Sequence, residues 1–183
     1  YRSAMDLQAN LSALAARRCV SPVHRMRWIL SETAVSFGIH FVNMLVLLAY
    51  MKYILRLEFA GSYAEMIPVV IIGSMIGVTM GMFITSIGKM GESVKIGIMI
   101  SVSLALSFLA GLMNADIKNV IDRNVPLLNR INPAALISDA LYCLNVYDAP
   151  ERYMQDMVIL FVMCVLLLTG TFLIVRRERY GSI

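Results

Sequence analysis

Charge is scarce in this sequence. Only 15% of its 183 residues are Asp, Glu, Lys or Arg, against 59% that are apolar, and the mean hydropathy is +0.74. Soluble globular chains are roughly 45–50% apolar, so this one carries more apolar surface than a water-exposed fold can hide. Catalytic motifs are missing too. A phosphate-binding loop needs GxxxxGK[ST], so that backbone amides and a lysine meet the phosphates. The nearest string, Gly81 to Lys89, has six residues between its glycines and Met90 where Ser or Thr is required. No GxSxG, HExxH, pair of intramembrane carboxylates or Cys/His cluster appears. No catalytic residue is therefore assigned, and the chain is read as not an enzyme and as holding no metal. The net charge of +4 is not laid out as a basic stripe with interleaved aromatics, so no nucleic-acid partner is expected. Cysteine is limited to Cys19, Cys143 and Cys164, expected in an inner arm, an outer loop and a membrane span, which leaves no intrachain disulfide to form. The opening residues lack the basic and short apolar regions of a signal peptide. The chain reads as the later part of a longer membrane protein.

What is abundant is apolar sequence in long runs. Four of them, at 33–54, 65–87, 94–113 and 157–175, approach or exceed the roughly 20 residues that cross a hydrocarbon core as helix. The fold class expected is an all-α polytopic membrane protein of about four transmembrane helices. Its parts would be an arm at 1–32, three spans within 33–113, an outer segment at 114–156, and a last span with a basic tail at 157–183. Orientation follows from the Lys and Arg residues, which collect on the cytoplasmic side. Arg2, Arg17, Arg18, Arg25, Arg27, Lys89, Lys95, Arg176, Arg177 and Arg179 fall on one side. Lys52, Arg56, Lys118, Arg123, Arg130 and Arg152 fall on the other, interspersed with acids. The arm and the tail are thus expected in the cytoplasm, with the protein in an inner or plasma membrane.

Within the spans, small and polar residues recur on single helix faces. Gly73, Gly77 and Gly81 are four apart in the second run, and Ser103, Ser107 and Gly111 repeat the device in the third. Such faces let helix backbones approach closely, and helix packing is preferred here over direct contact with a substrate. The fourth run is oily all round, which places it at the lipid edge, with spans two and three inside. Ser36, His40 and Asn43 share one face of the first span. They either hydrogen-bond across helices or line a wet path; a lone histidine is no metal site.

Two stretches outside the spans are structured by their own chemistry. In the outer segment Ile117, Val120 and Ile121 share a helical face, Pro126 breaks the run, and Asn132-Pro133 supplies a capping residue and a first-turn proline ahead of AALISDALYCL. Two short amphipathic helices lying on or dipping into the outer membrane boundary are expected. In the arm, Leu7, Leu11 and Leu14 sit at helical spacing, Pro22 should end the helix, and a second basic stretch leads to Trp28 at the interface. The arm reads as helix, turn and helix, or as a basic amphipathic helix on the membrane surface.

Three segments then resemble the C-terminal half of an ABC-2 type transporter permease. The arm ARRCVSPVHRMRWILSE is similar to that family's coupling-helix region. VPLLNRINPAALISDAL resembles its outer segment between the last two spans, with Pro126, Asn132-Pro133 and Asp139 where the pattern expects them. The basic tail VRRERYGSI and the order of spans also match. The resemblance implies a permease subunit of an ATP-driven exporter, moving a hydrophobic or amphipathic substrate out of the cytoplasm or inner leaflet. It implies pairing with a second permease copy or a homologous half, and with an ATP-binding cassette ATPase that uses ATP and Mg; this chain itself would hold no cofactor. Arg17, Arg18, Ser21 and Pro22 would make the contact with the ATPase. The alternatives are a secondary transporter or channel that needs no ATPase and uses the His40/Asn43 face, and a structural or sensory anchor.

Overall fold

The computed structural model describes residues 25–56, 63–87, 90–147 and 149–177. Every regular element among them is helical. Helix α1 is Arg25–Tyr53, α2 is Tyr63–Ser86, α3 is Glu92–Leu109, and α7 is Pro150–Arg177. Between α3 and α7 lie three short helices, α4 (Ala115–Asn124), α5 (Pro126–Arg130) and α6 (Pro133–Tyr142), the last running into a π turn at Cys143–Tyr147. Three helices are long and apolar enough to cross a membrane, over Leu30–Tyr53, Glu65–Ser86 and Pro150–Val175, and the apolar part of α3 is shorter, Ser93–Leu109. The chain is thus an all-α, polytopic membrane protein.

Helix α2 is the hub. Thr33 of α1 donates to Met82 Sδ at 3.1 Å and His40 faces Gly77, so α1 runs antiparallel to α2. Helix α3 is antiparallel too, with Met99 facing Gly81. Helix α7 runs parallel to α2 in the most extensive contact of the fold. Val69 packs with Met157, Ile76 with Leu160 and Cys164, and Met82 with Val175. The sequence expectation for span four holds on one face only: Val158, Phe161, Val162, Val165 and Leu166 are exposed, while the opposite face makes α7 the main partner of α2, because an all-apolar helix can still be gripped through a small residue. Gly170 is that residue, and an added Cβ there would lie 2.8 Å from Phe83 Cε2. Span three is corrected in the opposite sense. Lys95 and Met99 in its first half meet α2, whereas Ile100, Ser103, Leu104 and Phe108 are exposed. It is α1 that buries least, with none of its candidate span buried within the chain.

Span boundaries move for local reasons. The third run was expected to extend to 113, but the helix stops at Leu109, because Gly111 takes φ +78° and Asn114 caps the next helix by accepting from the Asp116 amide at 3.0 Å. A positive φ of this kind is routine for glycine and strained for other residues. The 18 residues of α3 still rise about 27 Å at 1.5 Å each, close to the hydrocarbon thickness. Helix α1 begins at Arg25, so the expected boundary between arm and span at 32/33 lies inside one continuous helix, as does the boundary at 156/157 inside α7.

One cation is used inside the fold rather than at its surface. Lys95 is fully buried and its Nζ donates to the Thr85 carbonyl at 2.7 Å. That carbonyl is in the last turn of α2, where the helix dipole favours a positive charge. Lys95→Met is expected to cost about 1–3 kcal/mol by leaving the buried carbonyl without this donor. Unfolding of the purified protein in mixed detergent micelles checks it, and unchanged stability would show that the tie is dispensable.

Candidate functional site

The segment between α3 and α7 is not draped over the bundle but wedged into it. Asn132 caps α6 by accepting from the amides of Ala134 and Ala135 at 3.0 and 3.4 Å, and Pro133 occupies the first turn, where its missing N–H costs nothing. The Asn132 Nδ2 donates in the other direction, to Leu106 O in the last turn of α3 at 2.8 Å. One buried side chain therefore ties the start of α6 to the end of α3. From there α6 sinks Ala135, Leu136 and Ala140 against α2 and α7. Two interfacial helices were expected; the structure has three, since Pro126 starts a helix of its own, and the third is packed among the spans.

Packing of α6 carries a carboxylate inward. Asp139 is 8% exposed, and both of its oxygens are taken: Oδ1 by Lys118 Nζ of α4 at 3.2 Å, Oδ2 by Arg152 Nε of α7 at 2.7 Å. The Lys118 ammonium also stands 5.8 Å from the Tyr142 ring centroid, within cation–π range. Asp156 lies one turn beyond Arg152 on α7, is buried, and has an Oδ2 with no hydrogen-bond partner. Cys143, one turn beyond Asp139 on α6, is buried beside them; burial, then the Asp139 carboxylate, push its thiol above the ordinary range. Asn129 donates to Asp122 at 2.7 Å, and its own Oδ1 is buried without a partner. Lys118, Asp122, Asn129, Asp139, Arg152 and Asp156 line a cleft of about 880 Å³ between α4, α5, α6 and α7, and Cys143 is buried behind its wall. On the other flank of α6 an apolar hollow of about 500 Å³ is lined by Leu112, Ile137, Leu141 and Val146. Charge in a chain otherwise made for lipid has been gathered on one flank of one short helix.

Residues 3–173 match the sequence profile of the ABC-2 family transporter proteins. The chain belongs to the ABC-2 transporter family. No curated protein and no solved structure matches it.

In this ABC-2 chain the residues singled out from sequence fall in different places. Arg17, Arg18, Ser21 and Pro22 lie outside the described residues. The glycines of α2 face three different neighbours. A Cβ on Gly73 would meet Ile137 at 3.5 Å, on Gly77 His40 Nε2 at 3.5 Å, and on Gly81 Met99 Sδ at 3.8 Å. Ser107 is half-buried near the end of α3, Ser103 is exposed, and Gly111 is a turn residue under which α4 passes, its Cβ position 2.7 Å from Lys118 Cβ. On α1, Ser36 and His40 are half-buried and Asn43 is exposed, so the three share a stripe without converging on a cavity. The carboxylate cluster was missed except for Asp139 as a pattern match. Its signal was present: a lone Asp inside the apolar run AALISDALYCL, followed four residues later by Cys, with Arg152 and Asp156 also four apart.

Proposed function

We propose that this chain is the membrane-spanning subunit of an ATP-driven exporter, working with an ATP-binding cassette ATPase and a second permease copy or homologous half. The family match across residues 3–173 carries the reading. The ATPase supplies the chemistry, using ATP and Mg, and grips the basic segment around Arg17, Arg18, Ser21 and Pro22 on the cytoplasmic face. Helix α1 follows at Arg25 as a rod of 29 residues, so force on the arm is delivered to α1 directly. Its seat on α2 at the small residue Gly77 allows it to tilt with little to unpack. A charged cleft on one flank of α6 and an apolar hollow on the other suit a substrate with a polar head and an apolar body, received from the cytoplasm or inner leaflet and released outward.

The test is co-purification of an ATP-binding cassette protein with this chain from membranes of its own cell. Replacing Arg17 and Arg18 by Glu together with Pro22→Ala is expected to abolish the association while leaving helical content and micellar elution unchanged. Association that survives the triple change overturns the coupling assignment. Transport driven by a pH gradient in liposomes holding this protein alone would overturn the exporter reading itself.

A further inference from the structure

We propose that Asp139, Cys143 and Asp156 form a transition-metal site at the wall of the charged cleft, with zinc the ion their chemistry matches. One carboxylate oxygen from each Asp and the Cys143 Sγ all lie within 4.8 Å of one another, and all three residues are more than nine-tenths buried. Zinc bound tetrahedrally at about 2.0 Å to oxygen and 2.3 Å to sulfur sets its ligands roughly 3.3–3.8 Å apart. The cluster therefore needs a contraction of up to about 1.5 Å between its widest pair, which side-chain torsions supply. Asp139 and Cys143 are four residues apart and share a face of α6 and its π turn, and Asp156 reaches across from α7.

A second observation points to a ligand. Asp156 Oδ2 is buried, lines the cleft and has no hydrogen-bond donor. An uncompensated buried carboxylate oxygen is costly unless a cation or a donor completes it. Asn129 Oδ1, also buried, unpartnered and on the cleft wall, offers an acceptor for a water in the fourth position of the metal.

Charge balance decides how the metal enters. Lys118 and Arg152 both pair with Asp139, and the Arg152 side chain is 59% exposed against 25% for Lys118. Arg152 can swing into solvent, whereas Lys118 stays on the far oxygen of Asp139 and orients it, as carboxylate ligands are usually held from behind. Binding then exchanges one guanidinium charge and the Cys143 thiol proton, which leaves to solvent, for one dication, and the net charge of the cluster does not change. The thiolate excludes magnesium and calcium, which take oxygen ligands, and favours zinc and its cobalt analogue. Occupied, the site would bolt α6 to α7 across the cleft.

Cobalt titration tests the site. The full chain is purified in detergent, stripped with a chelator, and titrated with Co2+ while the thiolate-to-cobalt charge-transfer absorption is recorded. One equivalent is expected to raise the band and zinc to displace it. Cys143→Ser, nearly isosteric, should abolish the band, while Cys164→Ser leaves it intact. Asp156→Asn should weaken affinity at least tenfold, and Arg152→Met should tighten it by removing the competing cation. Zinc should raise the thermal unfolding midpoint of the wild type and not that of Cys143→Ser. Absence of the band, or a band that survives Cys143→Ser, overturns the proposal, as does an affinity indifferent to both Asp156→Asn and Arg152→Met.

Discussion

Gly170→Leu is expected to push α7 away from α2 and sharply lower the yield of folded protein. The position admits no side chain without movement: a Cβ would stand 2.8 Å from Phe83 Cε2 and 3.3 Å from Cδ2, so the edge of a rigid ring, not a flexible tip, is in the way. In lipid there is no hydrophobic force to press helices together, since the acyl chains are as apolar as Leu, and close packing is what holds α2 to α7. Overpacking a tight contact costs about 1–3 kcal/mol and more where nothing can yield. Gly170→Ala should cost roughly 1 kcal/mol net, because Ala also recovers helix propensity, and Gly170→Leu about 3 kcal/mol or more. Gly97→Ala is the control, since a Cβ there meets nothing within 4 Å. Unfolding curves should show Phe83→Leu restoring most of what Gly170→Ala loses, an interaction that a double-mutant cycle isolates. Equal loss at Gly97 and Gly170, or no rescue by Phe83→Leu, would show that helix contact at this point is unimportant.

That glycine marks where sequence reading stops. Gly73, Gly77 and Gly81 were legible because they repeat at the helical period, and the structure sets all three against neighbouring helices. Which neighbours could not be read, since period fixes a face and not its partner; Ile137, His40 and Met99 come from three different elements. Gly170 stands alone within LLLTGTFL, and a single small residue in an oily run has no period to betray it. The spans themselves were legible from composition, because a bilayer tolerates so little else. The end of α3 was not, because Gly111 is as apolar as its surroundings and acts only through its backbone angle.

The charged cleft divides along the same line. Asn132-Pro133 announced the start of α6 because capping is local chemistry written within three residues. The meeting of Asp139 with Lys118, Arg152 and Asp156 depends on how α4, α6 and α7 come together over sequence separations of 13 to 21 for the two ion pairs. No local rule reports that. Composition did report that the bundle has little charge, and from this follows the physical point: a carboxylate carried on an apolar helix is costly to bury unless cations brought from elsewhere meet it, as Lys118 and Arg152 meet Asp139.

Asn132 gives the sharpest separation between a local and a global role. Were it only a helix cap, Asp would serve as well as Asn, since the two rank together at that position. In the structure its oxygen caps α6 while its Nδ2 donates to Leu106 O at 2.8 Å, and the residue is 1% exposed. Asn132→Asp keeps the cap but sets a carboxylate oxygen against a carbonyl at the C-terminal end of α3, where the helix dipole also repels negative charge. Asn132→Ala removes about 1 kcal/mol of capping and about 1 kcal/mol for the bond to α3. The Leu106 carbonyl keeps its bond from the Ala110 amide at 2.9 Å, which limits the second loss. The expected order of stability is Asn above Ser, Ser above Ala, and Asp no better than Ala, read as unfolding midpoints in detergent. An Asp variant as stable as the wild type would reduce Asn132 to a cap and leave α6 held to α3 by apolar contact alone. Asp falling to the level of Ala makes this side chain the tie that seats α6 on the end of α3.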